Sequence, residues 1–222
     1  STFLKLLNSY LDIHAVFEPH QKWQNVDGEN LLDKFYKDTN RWAYTFQTYA
    51  FVSRAVEHAN SLKSADKSIL ILERSVFSDR YCFAKNSFEM GVMNPLEWQL
   101  YKEWFAWLIY QYTTLPTGFI YLQTNPTICY ERMRARSRSE ESAVSLEYLS
   151  MLHEKHENWL VKKTGIDESI RNIPVLVLQC DEDFEHNISE QMKHVDKIVN
   201  FFQIQSAVRA DHNGLLQKQG EF

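Results

Sequence analysis

The sequence has few cysteines, no long apolar run and little net charge. Its cysteines, Cys82, Cys129 and Cys180, lie far apart, so we expect neither a disulfide framework nor a paired-cysteine metal site. An intracellular location, in the cytoplasm or the mitochondrion, is expected. No stretch approaches the roughly 18 apolar residues of a membrane-spanning helix, and a net charge of -5 gives no general attraction for polyanions. We therefore expect neither a membrane nor a nucleic-acid partner.

Short apolar runs alternate with longer stretches of helical character. The runs cover residues 15–17, 69–72, 119–122 and 175–178. The helices predicted from the pattern cover residues 42–60, 94–112, 126–135, 146–162 and 185–202. This alternation predicts an α/β fold with a parallel sheet flanked by helices. We expect one domain over residues 1–205, with a mobile polar tail over 206–222.

Charged side chains directly follow the apolar run at 69–72. Glu73 and Arg74 come first, and Asp79 lies in the same short segment. Groups at the carboxyl end of a parallel strand project into the crevice where ligands bind. The sequence therefore favours a chemical role for this segment over a solvated charged loop.

Glu18 closes the run at 15–17 in the same way. A carboxylate at a strand end can accept a proton from a substrate hydroxyl, and the indole of Trp23 could line the same pocket. Glu18 is followed by Pro19, however, and Glu-Pro is also a common strand terminator. Alone, this signal is weak.

Gln47 and Arg54 lie two helical turns apart, and therefore on one face of a predicted helix. The amide of Gln47 carries a donor and an acceptor that can pair with the edge of a nucleobase. A surface glutamine and arginine without a ligand is the alternative.

Arginines occupy every second position from 132 to 138, and two acidic residues, Glu140 and Glu141, follow. A continuous helix would divide these arginines between its faces. A helix that runs into a loop could instead gather them as a lid over phosphate groups. A solvated helix paired with its glutamates is the alternative.

Ser1 and Thr2 precede an apolar helix, as the last residues of a phosphate-binding loop do. The first glycine is Gly28, so the glycine-rich turn and the lysine of such a loop are missing from this sequence. An ordinary helix cap is the alternative interpretation.

Four motifs together resemble the deoxyribonucleoside kinases of the deoxycytidine and deoxyguanosine kinase type. They are Glu18-Pro19 with Trp23, the 41–49 block around Gln47, the segment from Glu73 to Tyr81, and the arginine-rich lid that ends at 146–149. The resemblance implies a P-loop kinase fold whose central parallel sheet has five strands, the first preceding Ser1. It also implies transfer of the γ-phosphoryl group of ATP to the 5′-hydroxyl of a deoxyribonucleoside, for nucleotide salvage.

The resemblance assigns roles to residues of this sequence. Glu18 would be the general base on the 5′-hydroxyl, and Arg74 would hold that hydroxyl and the developing charge. Glu73, with Ser1, would organise Mg²⁺. The side chains implied for the sugar and the base are Trp23, Tyr36, Phe46, Gln47, Phe83 and Glu141. Those implied for the phosphates and the donor base are Ser1, Thr2, Arg132, Arg136, Arg138, Asp183 and Phe184.

Base preference is expected to depend on Arg54 and Asp79, which would face each other beside the small Ala50. Such a pair offers donors and an acceptor to cytosine, adenine or guanine, and it crowds the methyl group of thymine. Deoxycytidine, deoxyadenosine and deoxyguanosine are therefore the expected substrates, with thymidine disfavoured.

Two other functions stay open at this stage. One is a catalytically silent nucleoside-binding partner subunit that lacks the phosphate loop, and the other is a kinase of another small substrate, such as a thymidylate kinase. The density of aromatic residues over 98–112 predicts core packing first and a helix-to-helix homodimer contact second.

Overall fold

Four short strands form two parallel pairs in the computed structural model, which describes residues 1–67 and 69–204. The strands are β1 (His14–Val16), β2 (Leu70–Leu72), β3 (Phe119–Gln123) and β4 (Val175–Gln179). β1 pairs with β2, and β3 pairs with β4. All four strands lie within one or two residues of the predicted runs. The tail predicted at 206–222 lies outside the described residues.

Helices make up most of the described chain, and the five predicted helices are present. The α-helices are α1 (Thr2–Tyr10), α2 (His20–Gln24), α3 (Leu31–Lys37), α4 (Thr39–Ser64), α5 (Val76–Ser78), α6 (Lys85–Glu89), α7 (Pro95–Tyr112), α8 (Pro126–Arg136), α9 (Leu146–His156), α10 (Glu168–Arg171) and α11 (Ile188–Phe202). Two π-helical turns, Asp79–Ala84 and Glu157–Val161, and a 3₁₀ turn, Ser139–Ala143, complete the set. The helix predicted over 146–162 is therefore α-helical to His156 and π-helical beyond it.

Local sequence explains where the helices begin and end. Asn94 and Glu97 form a reciprocal capping box at the start of α7, with Pro95 in the first turn. The helix α8 ends at Arg136 because Ser137 adopts the left-handed conformation, with φ of 54°. Arg138 consequently lies beyond the helix, as the lid prediction requires.

The two strand pairs do not join into the five-stranded sheet that the resemblance implies, at least within the described residues. A continuous cavity of about 1610 Å³ is lined by residues of both β2 and β3. Apolar side chains such as Ile71, Ile120 and Leu122 line this part of the cavity. The observed fold is therefore mixed α/β, mostly helical, with two small parallel sheets.

Three apolar clusters stabilise the fold. One surrounds Phe51 and Tyr101, where α4 packs against α7, and a second joins α1 to α11 around Leu7 and Ile198. The third contains Trp23 at the end of α2 and borders the cavity. Within the described ranges, none of the helices is both long enough and apolar enough to span a bilayer.

Candidate active site

Glu18 follows β1, and three side chains bind its carboxylate. Arg54 Nη2 lies 2.6 Å from Glu18 Oε1, and Arg74 Nη1 lies 2.9 Å from the same oxygen. His20 Nε2 lies 2.8 Å from the other oxygen, Oε2. The Glu18 side chain is 2% exposed, so these contacts replace the water that a carboxylate would otherwise bind.

The parallel register explains why charged residues from two strands meet here. Val16 pairs with Leu72, so β1 and β2 end side by side. The backbone N–H of Glu73 continues the ladder by donating to the carbonyl of Val16, at 2.8 Å. The backbone N–H of Glu18 donates in turn to Glu73 Oε2, at 3.2 Å.

Arg74 adopts a left-handed backbone conformation, with φ of 62°. A non-glycine residue in this region carries strain that the surrounding structure must hold in place. The guanidinium binds Glu18 on one side and lies 4.9 Å from the centroid of the Phe83 ring on the other. About half of the Arg74 side chain is exposed, so it can also reach a ligand in the cavity.

The environment of Glu18 determines its protonation state. Burial opposes ionisation of the carboxyl, but Arg74, His20 and Arg54 more than compensate and hold its pKa well below the ordinary value. Glu18 is therefore a carboxylate at neutral pH, which is the form that can accept a proton.

Arg54 and Asp79 form a buried ion pair beside this carboxylate. Arg54 Nε lies 2.8 Å from Asp79 Oδ2, and Nη2 lies 3.2 Å from Oδ1. Asp79 opens the π-helical turn Asp79–Ala84, a rare geometry that recurs at functional sites. Arg54 also binds Glu18. Its guanidinium therefore connects Glu18, the predicted general base, to the Arg54–Asp79 pair that is predicted to recognise the nucleobase.

The residues predicted to hold the nucleoside line a single cavity with Glu18 and Arg74. Trp23, Tyr36, Phe46, Gln47, Ala50, Phe83 and Glu141 all contribute to its wall. The Trp23 ring packs edge-on against Phe46, with ring centroids 5.6 Å apart, and its Nε1–H donates to Ser53 Oγ at 2.9 Å. This aromatic wall suits a flat, partly polar ligand.

Tyr36 and Glu141, predicted to bind the sugar, also lie in the cavity wall. Burial, together with the negative charge of Glu141, raises the pKa of Tyr36 to about 12. The phenol therefore keeps its proton at neutral pH and can donate a hydrogen bond to a ligand.

Residues of the predicted lid line this cavity. Arg136 Nη2 binds both carboxylate oxygens of Glu141, at 2.7 and 2.9 Å, and Arg138 Nη1 lies 3.3 Å from Glu141 Oε1. Arg136 and Arg138 also line the cavity. In this structure the two arginines neutralise Glu141, and their binding to phosphate stays a prediction.

Comparison with known proteins identifies the family. Residues 1–203 match the family Deoxynucleoside kinase. The chain is 41% identical over 225 residues to deoxycytidine kinase 2 of Gallus gallus, covering 90% of this chain and 85% of that protein. It is 41% identical over 209 residues to a mitochondrial deoxyguanosine kinase of Xenopus laevis, covering 84% and 79%. Human deoxycytidine kinase is 37% identical over 225 residues, covering 90% and 86%.

The chain belongs to the deoxynucleoside kinase family. It is therefore a phosphotransferase of nucleotide salvage, and the family uses ATP as the phosphate donor. The match favours a kinase over the partner-subunit alternative raised by the sequence.

The kinase brings together the two residues predicted to organise magnesium. Ser1 and Glu73 both line the cavity, and Ser1 Oγ accepts from the N–H of Leu4 at the start of α1, where Thr2 is exposed. Among the described residues, no group of three or more His, Cys, Asp or Glu side chains could hold a metal. Mg²⁺ often takes one or two protein oxygens and completes its shell with phosphate oxygens and water, so Glu73 and Ser1 fit it.

Asp183 and Phe184, predicted to contact the donor base, lie on the loop after β4. Asp183 Oδ1 accepts from the N–H of Glu185, at 2.8 Å, and the Phe184 ring packs edge-on against Phe3. Arg132 holds the start of this loop, because its guanidinium donates to the carbonyls of Cys180, Asp181 and Glu182 at 2.6, 2.8 and 3.0 Å. Arg132 thus connects the lid helix to the loop, and its predicted contact with phosphate is untested.

Sequence reasoning missed several contacts in the kinase. His20 on Glu18 is one. Phe35, stacked on Phe46 with centroids 4.7 Å apart, is another. A third is Glu140, whose carboxylate accepts from Gln24 and Asn30 at 2.8 and 3.1 Å and so attaches the lid to the end of α2 and the start of α3. No periodic pattern signals these contacts: His20 is only two residues from Glu18, whereas the partners of Glu140 lie more than 100 residues away.

Proposed function

We propose that this kinase phosphorylates the 5′-hydroxyl of deoxycytidine, deoxyadenosine and deoxyguanosine, and that thymidine is a poor substrate. The observation that carries this proposal is the buried Arg54–Asp79 pair on the wall of the cavity, with side chains 5% and 3% exposed. A fixed charged pair offers hydrogen bonds to the polar edges of these three bases and leaves no apolar space for the methyl group of thymine.

Glu18 acts as the general base in this proposal. As the 5′-oxygen forms its bond to the γ-phosphorus, the hydroxyl proton passes to the Glu18 carboxylate and the bond from phosphorus to the bridging oxygen of ADP breaks. Arg74, which contacts Glu18 and is about half exposed, would hold the reacting oxygen. Its fixed charge stabilises the negative charge that moves during transfer.

Glu73 and the Ser1 hydroxyl would hold Mg²⁺ together with phosphate oxygens of the donor. When bound, the ion neutralises charge on the donor phosphates. Glu73 also accepts from the N–H of Glu18, so it connects the proposed ion site to the proposed base.

The exposed face of α7 supports a homodimer. Trp104, Trp107, Tyr110 and Tyr112 are between 48% and 86% exposed. Clusters of exposed aromatic side chains often mark interaction sites, and aromatic residues are enriched at protein interfaces. An intracellular location, in the cytoplasm or the mitochondrion, fits the three free cysteines.

An assay of the full-length kinase with ATP and each of the four deoxyribonucleosides tests the proposed specificity. We expect kcat/KM to be at least about tenfold lower for thymidine than for each of the other three, which corresponds to about 1.4 kcal/mol. Equal kcat/KM for thymidine would contradict the proposal.

A further inference from the structure

His20 differs from the other partners of Glu18. Its Nε2 lies 2.8 Å from Glu18 Oε2, whereas the guanidinium of Arg54 and the closer contact of Arg74 occupy Oε1. Arg74 Nη1 reaches Oε2 at the longer distance of 3.1 Å. The imidazole therefore makes the shortest of the described contacts to this oxygen.

The local chain geometry fixes His20 in this position. Pro19 lies between the two residues, and the backbone N–H of His20 donates to the carbonyl of Glu18 at 2.8 Å, which turns the imidazole back toward the carboxylate. The ring packs edge-on against Trp23, with centroids 5.1 Å apart. Trp23 is itself fixed to α4 through its hydrogen bond to Ser53.

We propose that His20 is a positioning residue for Glu18, an inference that rests on the proposed role of Glu18 as general base. The imidazole N–H holds Oε2 and thereby fixes the plane of the carboxylate. With the guanidinium groups on Oε1, this contact prevents rotation of the carboxylate about its last bond. The carboxylate oxygen that receives the 5′-hydroxyl proton then faces the cavity. His20 also lines this cavity, and its side chain is 30% exposed.

Such a role affects the chemical step more than substrate binding. Orientation of a catalytic group strongly affects rate, and a small displacement of the base is costly. Nucleoside affinity depends mainly on the walls formed by Phe46, Gln47 and Phe83. Loss of the His20 contact should therefore lower kcat and leave the Kd of the nucleoside nearly unchanged.

The test compares His20→Leu with His20→Gln in the full-length kinase. Leucine removes the donor, whereas the Gln side-chain amide can place an N–H near the position of imidazole Nε2. We expect His20→Leu to lower kcat about tenfold, the size expected when one hydrogen bond to a charged group is lost, with the Kd for deoxynucleoside within about twofold by calorimetry. His20→Gln should recover most of the activity.

A matched control is His14→Leu, which removes the contact of His14, on β1, with the Asp66 carboxylate, away from the cavity. It should keep wild-type kcat. Equal loss in the two variants would overturn the proposal, as would a His20→Leu variant with wild-type kcat or one that loses nucleoside affinity instead of kcat.

The double variant Glu18→Gln/His20→Leu separates the inference from the proposed function. If His20 acts through Glu18, His20→Leu should reduce the residual activity of Glu18→Gln no further. A further tenfold loss in that background would overturn the positioning role alone. Full activity of Glu18→Gln would instead overturn the proposed role of Glu18 as general base, and with it the positioning role of His20.

Discussion

Arg54 lies between two carboxylates, but only Asp79 is bound by two of its nitrogens, Nε and Nη2. Arg54 is also the partner that the structure shows for the Asp79 side chain, which is 3% exposed. Glu18, in contrast, keeps Arg74 and His20 when Arg54 is removed. Loss of Arg54 and loss of Asp79 should therefore have unequal effects on stability.

We expect Arg54→Met to destabilise the kinase more than Asp79→Ala. Arg54→Met leaves a buried carboxylate without its partner, which typically costs about 3–5 kcal/mol, whereas Asp79→Ala leaves Arg54 bound to Glu18. Urea unfolding of the two variants measures the difference. Equal losses of unfolding free energy would show that Asp79 finds another partner.

The double variant Arg54→Met/Asp79→Ala should gain thymidine activity. Removal of both charges opens apolar space for the thymine methyl group, so the ratio of kcat/KM for thymidine to that for deoxycytidine should rise about tenfold or more. Steady-state kinetics with both nucleosides measures the ratio. An unchanged ratio would show that the pair does not read the base.

Glu18→Gln should lower kcat about 10²–10⁴-fold, because a neutral amide cannot accept the hydroxyl proton. Nucleoside binding, measured by calorimetry, should persist. The matched control is Glu57→Gln, which removes the carboxylate that Lys22 contacts at 2.7 Å, on the exposed surface. That variant should keep wild-type turnover. Comparable loss in both variants would point to a structural effect rather than to a missing base.

The lid contact of Glu140 should weaken in acid. Hydrogen bonds from its own backbone N–H, from Gln24 and from Asn30 lower the pKa of Glu140 to about 2. Because the folded pKa lies below the ordinary value of 4.5, this contribution to stability is complete above pH 4.5 and is lost as the pH falls through about 2.

The difference in Tm between wild type and Glu140→Ala should accordingly be constant from pH 7 to 5 and shrink below pH 4.5. Glu131→Ala, on the exposed surface of α8, serves as the control for the loss of a surface carboxylate. A Glu140→Ala difference that grows in acid would contradict the assigned contact.

The substitutions Trp104→Glu and Trp107→Glu together should convert the proposed homodimer into a monomer. Two charges in the centre of an aromatic interface would be buried without partners, which strongly disfavours association. Analytical ultracentrifugation measures the mass. Ile188→Glu, at a separate exposed site on α11, should leave the dimer intact. A wild-type kinase that sediments as a monomer would contradict the homodimer proposal.

Local sequence patterns predicted most of the fold. Apolar runs located all four strands, and the helices predicted over 94–112 and 126–135 match α7 and α8. The meeting of Glu18 with Glu73 and Arg74 was predictable because parallel strands place their carboxyl ends at one edge. Family resemblance supplied the proposed roles of Tyr36 and Glu141, which no periodicity indicates.

Long-range partners and backbone strain were not predictable. The helical period put Arg54 on one face with Gln47, but it carries no information about the contact to Glu18. Arg74 has a positive φ although it is not a glycine, so the sequence gives no sign of this backbone conformation. The predicted single sheet became two pairs because β2 and β3 lie across a cavity rather than in hydrogen-bonding contact.

The parallel pairing of the strands has a kinetic consequence. β1 meets β2 through contacts such as His14 with Leu70, and β3 meets β4 through contacts such as Phe119 with Val175. Each pairing must wait for closure of a long crossover loop, whereas the intervening helices require only near neighbours. Newly synthesised chains should therefore acquire α4 and α7 early and form their sheets late, and the sheet ladders should be the last backbone amides to gain protection during refolding.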